Sequence, residues 1–108
     1  MPEDLLANYE GFYRGVYAEG GFYSNAGPGY PSRIEIGVRD GKLWATQWHP
    51  DPERDEHLEP EEIIPLSETR FFWPAEGEFI EFERDDAGAV VRYRARYGLN
   101  EWVMRRMR

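Results

Sequence analysis

The chain contains no cysteine, and this absence excludes several classes of protein. Without thiols there is no disulfide framework, no thiolate metal site and no cysteine nucleophile, whereas the redox state of the compartment stays open. The chain also lacks a long apolar run, so no membrane-spanning helix is predicted. Its first residues, MPEDLLANYE, are too acidic and polar for a signal peptide. If the sequence is complete, we therefore expect a cytoplasmic protein.

Residues that carry chemistry in many enzymes are scarce. None of the three serines has neighbours typical of a hydrolase nucleophile. The two histidines, His49 and His57, lie near Asp51 and Glu59, but this spacing matches no known metal site. Acidic residues are so numerous that no glycosidase-like carboxylate pair stands out. We therefore predict no catalytic residue, no metal site and no cofactor.

The net charge of −8 disfavours nucleic acid and anionic membranes as partners, because both attract positively charged surfaces. The charge is unevenly distributed. Residues 51–62 contain seven acids and one arginine, whereas residues 92–108 contain six arginines and one acid. Either the two segments attract each other in the folded chain, or the arginines form a basic patch for an anionic ligand. In the second case the candidate anion-binding residues are Arg92, Arg94 and Arg96.

The length of 108 residues predicts a single domain. After a helical turn at Leu5, Leu6 and Tyr9, alternating apolar and polar residues predict about eight short strands joined by hairpin-length turns. Such a meander must close or stack to hide its edges. We therefore expect an all-β fold, a small antiparallel meander β-barrel. The expected interior residues are Ile34, Ile36, Val38, Leu43, Ala45, Ile80, Phe82, Val91 and Tyr93. The alternative, in which Trp44 and Trp48 face inward and Ile34, Ile36 and Val38 pack outside against another element, stays open.

The first predicted hairpin spans residues 33–48 and is centred on the dipeptide Asp40-Gly41. This dipeptide is typical of a type I′ turn, in which both central residues have positive φ. The turn places Val38 opposite Leu43 and Gly37 opposite Trp44. We expect the indole to cover the glycine, because an aromatic ring across a strand pair shields exposed backbone.

The second predicted hairpin spans residues 77–98. A four-residue loop at 85–88 pairs Phe82 with Val91 and places Glu81 opposite Arg92, which predicts a cross-strand ion pair.

Between the two hairpins, residues 49–60 read as a solvated, proline-broken loop. A short strand at 61–67 contains Pro65, so we place it at a sheet edge.

The glycine-rich segment GGFYSNAGPGYPS, residues 20–32, is a candidate binding loop. A phosphate cradle is excluded, because no lysine lies in the segment and no helix follows it. As a long connection it can fold over one end of the barrel, where its aromatic side chains either plug the end or line a cavity. On the first hairpin, two tryptophans share the face opposite the aliphatic one and can stack on a flat ligand or bind a partner. The candidate ligand-binding residues are Phe22, Tyr23, Tyr30, Trp44, Trp48 and Tyr93.

One pattern of aromatic, glycine and turn residues extends over about residues 8–100. It consists of Tyr9, Gly11, Tyr13, the turn Asp40–Leu43, Phe82, Asp85, Gly88 and Val90. This pattern resembles the small lipocalin-like β-barrel domain found C-terminal to class C β-lactamase-like serine hydrolases. The resemblance implies a barrel with an accessory or ligand-binding role. It implies no active site, since the catalytic serine and lysine of that family belong to the preceding domain.

The expected function is that of a non-catalytic barrel module, which binds a small apolar or aromatic ligand or acts as an interaction module for a protein partner. Two alternatives stay open. One is an enzyme of cupin or lipocalin-like type that uses the barrel mouth for chemistry. The other is a structural homodimer formed through the face that carries Trp44 and Trp48.

Overall fold

The computed structural model describes residues 3–19, 32–49, 51, 53–98 and 100–108. A short helix α1 (Glu3–Leu6) and a 3₁₀ turn (Ala7–Tyr9) precede eight strands. The strands are β1 (Gly11–Glu19), β2 (Ser32–Arg39), β3 (Lys42–Trp48), β4 (Glu61–Pro65), β5 (Arg70–Trp73), β6 (Glu78–Arg84), β7 (Val90–Tyr97) and β8 (Asn100–Arg106). Each strand pairs with its neighbour in sequence, and β8 pairs with β1, so the sheet closes into a barrel. The predicted all-β meander barrel is confirmed.

Within the described residues, no helix has the length and apolar character needed to cross a membrane.

The first hairpin has the predicted register. Val38 is opposite Leu43, and Asp40 and Gly41 have φ angles of 55° and 72°, as a type I′ turn requires. The expectation that Trp44 covers Gly37 is wrong, because a Cβ added at Gly37 would meet nothing within 4 Å. The indole instead donates a hydrogen bond from Nε1 to the carbonyl oxygen of Arg39 at 3.1 Å, which draws it toward the turn.

The second hairpin differs from the prediction. Phe82 is opposite Tyr93 and not Val91, so the pairing is shifted by two residues along the partner strand. The loop is longer than expected, because the carboxylate of Asp85 accepts hydrogen bonds from the backbone N–H groups of Ala87 and Ala89 at 2.9 and 3.0 Å. A bulge after Glu83 absorbs the extra length.

This shift changes which residues lie opposite each other, but most side chains stay on the face of the sheet that was predicted for them. Val90 is buried and Val91 only partly buried, which corrects the assignment of Val91 to the interior. The predicted ion pair between Glu81 and Arg92 is also wrong. The carboxylate of Glu81 lies 3.7 Å from Nε of Arg70, and Arg92 pairs with a different glutamate, described below.

Strand β4 is not an edge strand. It pairs with β3 on one side and with β5 on the other, because the barrel closes. Pro65 is the last residue of the strand and lies opposite Phe71, so its missing N–H group interrupts no central part of the ladder. The next segment expected to be irregular is residues 49–60. Its described residues, 49, 51 and 53–60, form no strand, and residues 53–59 are exposed.

Nine aliphatic and aromatic side chains were expected inside, and seven of them are buried. Val38 is partly buried and packs against this core. The remaining core residues include large aromatic side chains that periodicity did not assign, namely Tyr9, Tyr13, Phe71 and Trp73. The interior is therefore more aromatic than the sequence predicted.

Candidate functional site

One end of the barrel is closed by the segment before β1. Tyr9 is fully buried, and its ring stacks on Phe82 with 4.4 Å between the centroids. Its hydroxyl donates a hydrogen bond to the carbonyl oxygen of Glu68, in the turn before β5. The hydroxyl of Tyr13 donates to the carbonyl oxygen of Tyr9 at 2.7 Å, and its ring lies 5.0 Å from that of Tyr93. The protein's own aromatic rings thus fill this half of the barrel.

The opposite end, which we call the barrel mouth, is where β3 and β5 end and β4 and β6 begin. Its inner face carries polar side chains. Gln47 in β3, Glu61 in β4 and Glu78 in β6 each lie two residues from a buried core position and are themselves partly buried. Because side chains alternate between the two faces of a strand, all three belong to the inner face.

Hydrogen bonds hold two of the mouth carboxylates. The indole Nε1 of Trp73, a side chain that is 2 % exposed, donates to Oε1 of Glu61 at 3.1 Å. The side-chain amide of Gln47 donates to Oε1 of Glu76, in the turn between β5 and β6. A carboxylate has room for several donors, so both groups keep the capacity to accept further hydrogen bonds.

Glu78 is the mouth residue whose acidity is most changed by the fold. Burial raises the pKa of its carboxyl to about 7, and repulsion from the nearby Glu76 contributes. Burial also raises the pKa of Tyr93 well above its ordinary value, and the charge of Glu78 adds to that effect. The Glu78 carboxyl therefore ionises less readily than an exposed glutamate, and a positively charged partner would favour its ionised form.

The described part of the chain contains no group of three or more His, Cys, Asp or Glu side chains arranged to hold a metal ion. The chemistry that the mouth offers is that of hydrogen-bond acceptors and of one carboxyl that exchanges its proton near neutral pH. Both properties suit the recognition of donors and cations.

Among the described residues, the structure does not bring the predicted ligand-binding residues Trp44, Trp48 and Tyr93 together in one site. Phe22, Tyr23 and Tyr30 lie outside the described residues. Trp44 and Trp48 lie on the outer face of β3, whereas Tyr93 is in the interior and 1 % exposed. The barrel wall lies between the two tryptophans and Tyr93.

Trp48 is held by its own neighbours on the outer surface. Its Nε1 donates to Oε1 of Glu35 at 3.1 Å, and its ring lies 4.6 Å from that of His57. The guanidinium of Arg33 lies 5.9 Å from the ring centroid. The homodimer through this face stays a prediction.

The three candidate anion-binding arginines lie on the outer face of β7 and are ion-paired. Nε of Arg94 lies 3.1 Å from Glu83, and its Nη1 lies 3.0 Å from Glu101. Arg92 also pairs with Glu83, and Arg96 lies 3.8 Å from Glu101. Burial by itself would raise the pKa of Glu83, but the hydrogen bonds from Arg92 and Arg94 lower it below its ordinary value. The anion-binding role of these arginines stays a prediction.

Within the described residues, no ion pair joins segment 51–62 to segment 92–108. Three arginines of the second segment, Arg92, Arg94 and Arg96, pair with glutamates on the adjacent strands β6 and β8 instead. Among the described residues, direct ion pairing between the two oppositely charged segments therefore does not account for their composition.

The sequence did not single out the mouth residues Gln47, Glu61 and Glu78. The available signal was the alternation along each strand, which places a polar residue at a position that should face inward. Only closure of the barrel brings these three positions to one end.

Comparisons with protein-family models, with curated proteins and with solved structures find no match to this chain.

Proposed function

We propose that this barrel is a non-catalytic binding module whose mouth takes a small ligand with an apolar or aromatic body and a positively charged amine. The observation that carries the proposal is the position of Glu61 and Glu78 on the inner face at one end, beside the buried indole of Trp73. The other end is filled by aromatic rings, so the ligand would enter only at the mouth.

A cationic ligand follows from the energetics of the mouth carboxyls. A carboxylate that is withdrawn from water is unfavourable unless hydrogen bonds or an opposite charge compensate it. The raised pKa of Glu78 indicates that its ionised form is not fully compensated. An ammonium group placed between Glu61 and Glu78 would supply that compensation and would gain two charge-assisted hydrogen bonds.

The apolar part of the ligand follows from the surroundings of these carboxyls. Trp73 contributes its indole to the mouth, and Ile63 and Ile80 form the next inward layer. Binding sites of this kind combine an apolar lining with a few polar groups that fix the orientation of the ligand. An accessory binding role is also what the resemblance to the lipocalin-like domain implies.

The test is a calorimetric titration with phenethylamine, and with phenylacetate and phenylethanol as anionic and neutral counterparts of the same shape. We expect phenethylamine to bind most tightly. Either Glu61→Gln or Glu78→Gln should weaken it about tenfold, in line with the loss of one charge-assisted hydrogen bond. The matched control is Glu81→Gln, which removes a carboxylate from the outer face of the same strand and should leave the affinity unchanged.

The pH dependence of the same titration provides a second check. Glu78 ionises near pH 7, whereas the amine keeps its charge, so affinity for phenethylamine should rise between pH 6 and pH 8. Phenylacetate binding as tightly as phenethylamine, or equal losses from Glu81→Gln and Glu78→Gln, would refute the proposal.

A further inference from the structure

Four arginines from four different strands lie side by side on the outer surface of the barrel. Arg92 in β7 is opposite Arg105 in β8, Arg105 is opposite Arg14 in β1, and Arg14 is opposite Arg33 in β2. Each lies next to an inward-facing core residue in its strand, so all four belong to the outer face. We call this set the arginine row.

The arginine row works against the stability of the sheet, because like charges directly opposite each other on neighbouring strands repel. Other cross-strand positions on the same surface combine opposite charges. Arg70 is opposite Glu81, and Arg96 is opposite Glu101. In a chain with 21 acidic and 13 basic side chains, composition does not account for three successive arginine pairs. Arrangements that lower stability are common where a surface binds a ligand.

Among the described residues, the ion pairs do not reach the middle of the arginine row. At one end, Arg92 pairs with Glu83. At the other end, Nη1 of Arg33 donates to the carbonyl oxygens of His49 and Asp51 at 2.9 and 3.1 Å, which orients the guanidinium without neutralising it. The central residues Arg14 and Arg105 are exposed and take part in none of the ion pairs among the described residues.

Both ends of the arginine row are bounded by negative charge, which limits the length of a ligand. Glu83 is the cross-strand neighbour of Arg92. Beyond Arg33 come Trp48 and then the acidic segment 51–62. The row itself crosses three strand spacings, or roughly 14 Å. A long polyanion would continue past the row onto repulsive surface, whereas a short one would not.

We propose that the arginine row binds a short oligophosphate, a chain of three or four phosphate groups that is either free or attached to a nucleoside. Guanidinium groups bind phosphate oxygens through paired hydrogen bonds. The charge density favours phosphate over an acidic peptide. An extended peptide presents a side chain to one face only about every 7 Å, so about two carboxylates would match a row of four cations. The row lies outside the barrel, so this site is separate from the mouth.

The test is a calorimetric titration with sodium tripolyphosphate at low ionic strength, with the wild type and with Arg14→Gln and Arg105→Gln. We expect the wild type to bind and each variant to bind about tenfold more weakly, because each loses one charged hydrogen-bonding group. The matched control is Arg70→Gln, another exposed outer-face arginine, which should bind as the wild type does. Glu78→Gln should also bind tripolyphosphate normally, which separates this proposal from the one on the mouth.

Thermal unfolding of the ligand-free variants shows whether the effect is structural. Relief of like-charge repulsion should leave the melting temperature of Arg14→Gln and Arg105→Gln equal to or above that of the wild type. ATP binding as tightly as tripolyphosphate would assign the site to a nucleotide, and tripolyphosphate binding alone would assign it to a free oligophosphate. The proposal is overturned if tripolyphosphate does not bind, if Arg70→Gln weakens it equally, or if orthophosphate or a 20-nucleotide single strand binds more tightly.

Discussion

Replacing Glu78 by glutamine is expected to stabilise the protein at alkaline pH and to change its stability little at acidic pH. Glutamine keeps the size of the side chain and its hydrogen-bonding oxygen but cannot ionise. The partly buried carboxyl has a pKa of about 7 in the folded protein, against an ordinary value of 4.5. The folded state therefore holds this proton more tightly than the unfolded chain does.

The direction of the effect follows from proton linkage. Below pH 4.5 the carboxyl is protonated in both the folded and the unfolded state, so its ionisation does not lower the free energy of unfolding. As the pH rises from 4.5 through 7, the unfolded state releases the proton first, so the free energy of unfolding falls. At about 1.36 kcal/mol per pH unit, the interval between 4.5 and about 7 corresponds to at most about 3 kcal/mol. Glu78→Gln should recover most of that amount at pH 8.5.

The assay is urea denaturation of the wild type and of Glu78→Gln at pH 4.5 and pH 8.5. At each pH, the free energy of unfolding of the wild type is subtracted from that of the variant, and the two differences are compared. The subtraction removes the contribution of the other titrating groups, because both proteins contain them. Glu81→Gln is the matched control on the outer face of the same strand, and it should show no such difference. A Glu78→Gln variant that gains no stability at pH 8.5 relative to pH 4.5 would show that Glu78 is not withdrawn from water as described.

Two further substitution pairs test the faces and the first turn. Phe82→Ala removes a ring that is 2 % exposed and should lower the free energy of unfolding by about 3 to 5 kcal/mol. Phe79→Ala, at a side chain that is 48 % exposed, should lower it by about 1 kcal/mol or less in the same urea assay; equal losses would contradict the assigned faces. Gly41→Ala should destabilise by about 1 kcal/mol or more, because φ is 72° there. Gly37→Ala enters open space and should be neutral or stabilising by up to about 1 kcal/mol. Thermal denaturation would measure both, and a larger loss at Gly37 would contradict the turn geometry.

The first hairpin could be predicted because its information is local. Asp40-Gly41 specifies the turn type, and the turn specifies that Val38 meets Leu43. The second hairpin could not be predicted to the same accuracy. Its register depends on the carboxylate of Asp85, which accepts two backbone hydrogen bonds and favours a longer loop with a bulge. Alternation still identified Ile80 and Phe82 as interior residues, because a shift of two residues preserves the faces.

Alternating residues and turn dipeptides therefore determined that the chain is an all-β meander, and they determined most of its core. Tertiary structure decided which functional side chains meet. The mouth gathers Gln47, Glu61 and Glu78 because three strands of a closed barrel begin or end at one rim. The arginine row joins residues from the first, second, seventh and eighth strands. Its alignment requires the pairing between β1 and β8, which packing of the whole barrel sets and no local signal in the chain encodes.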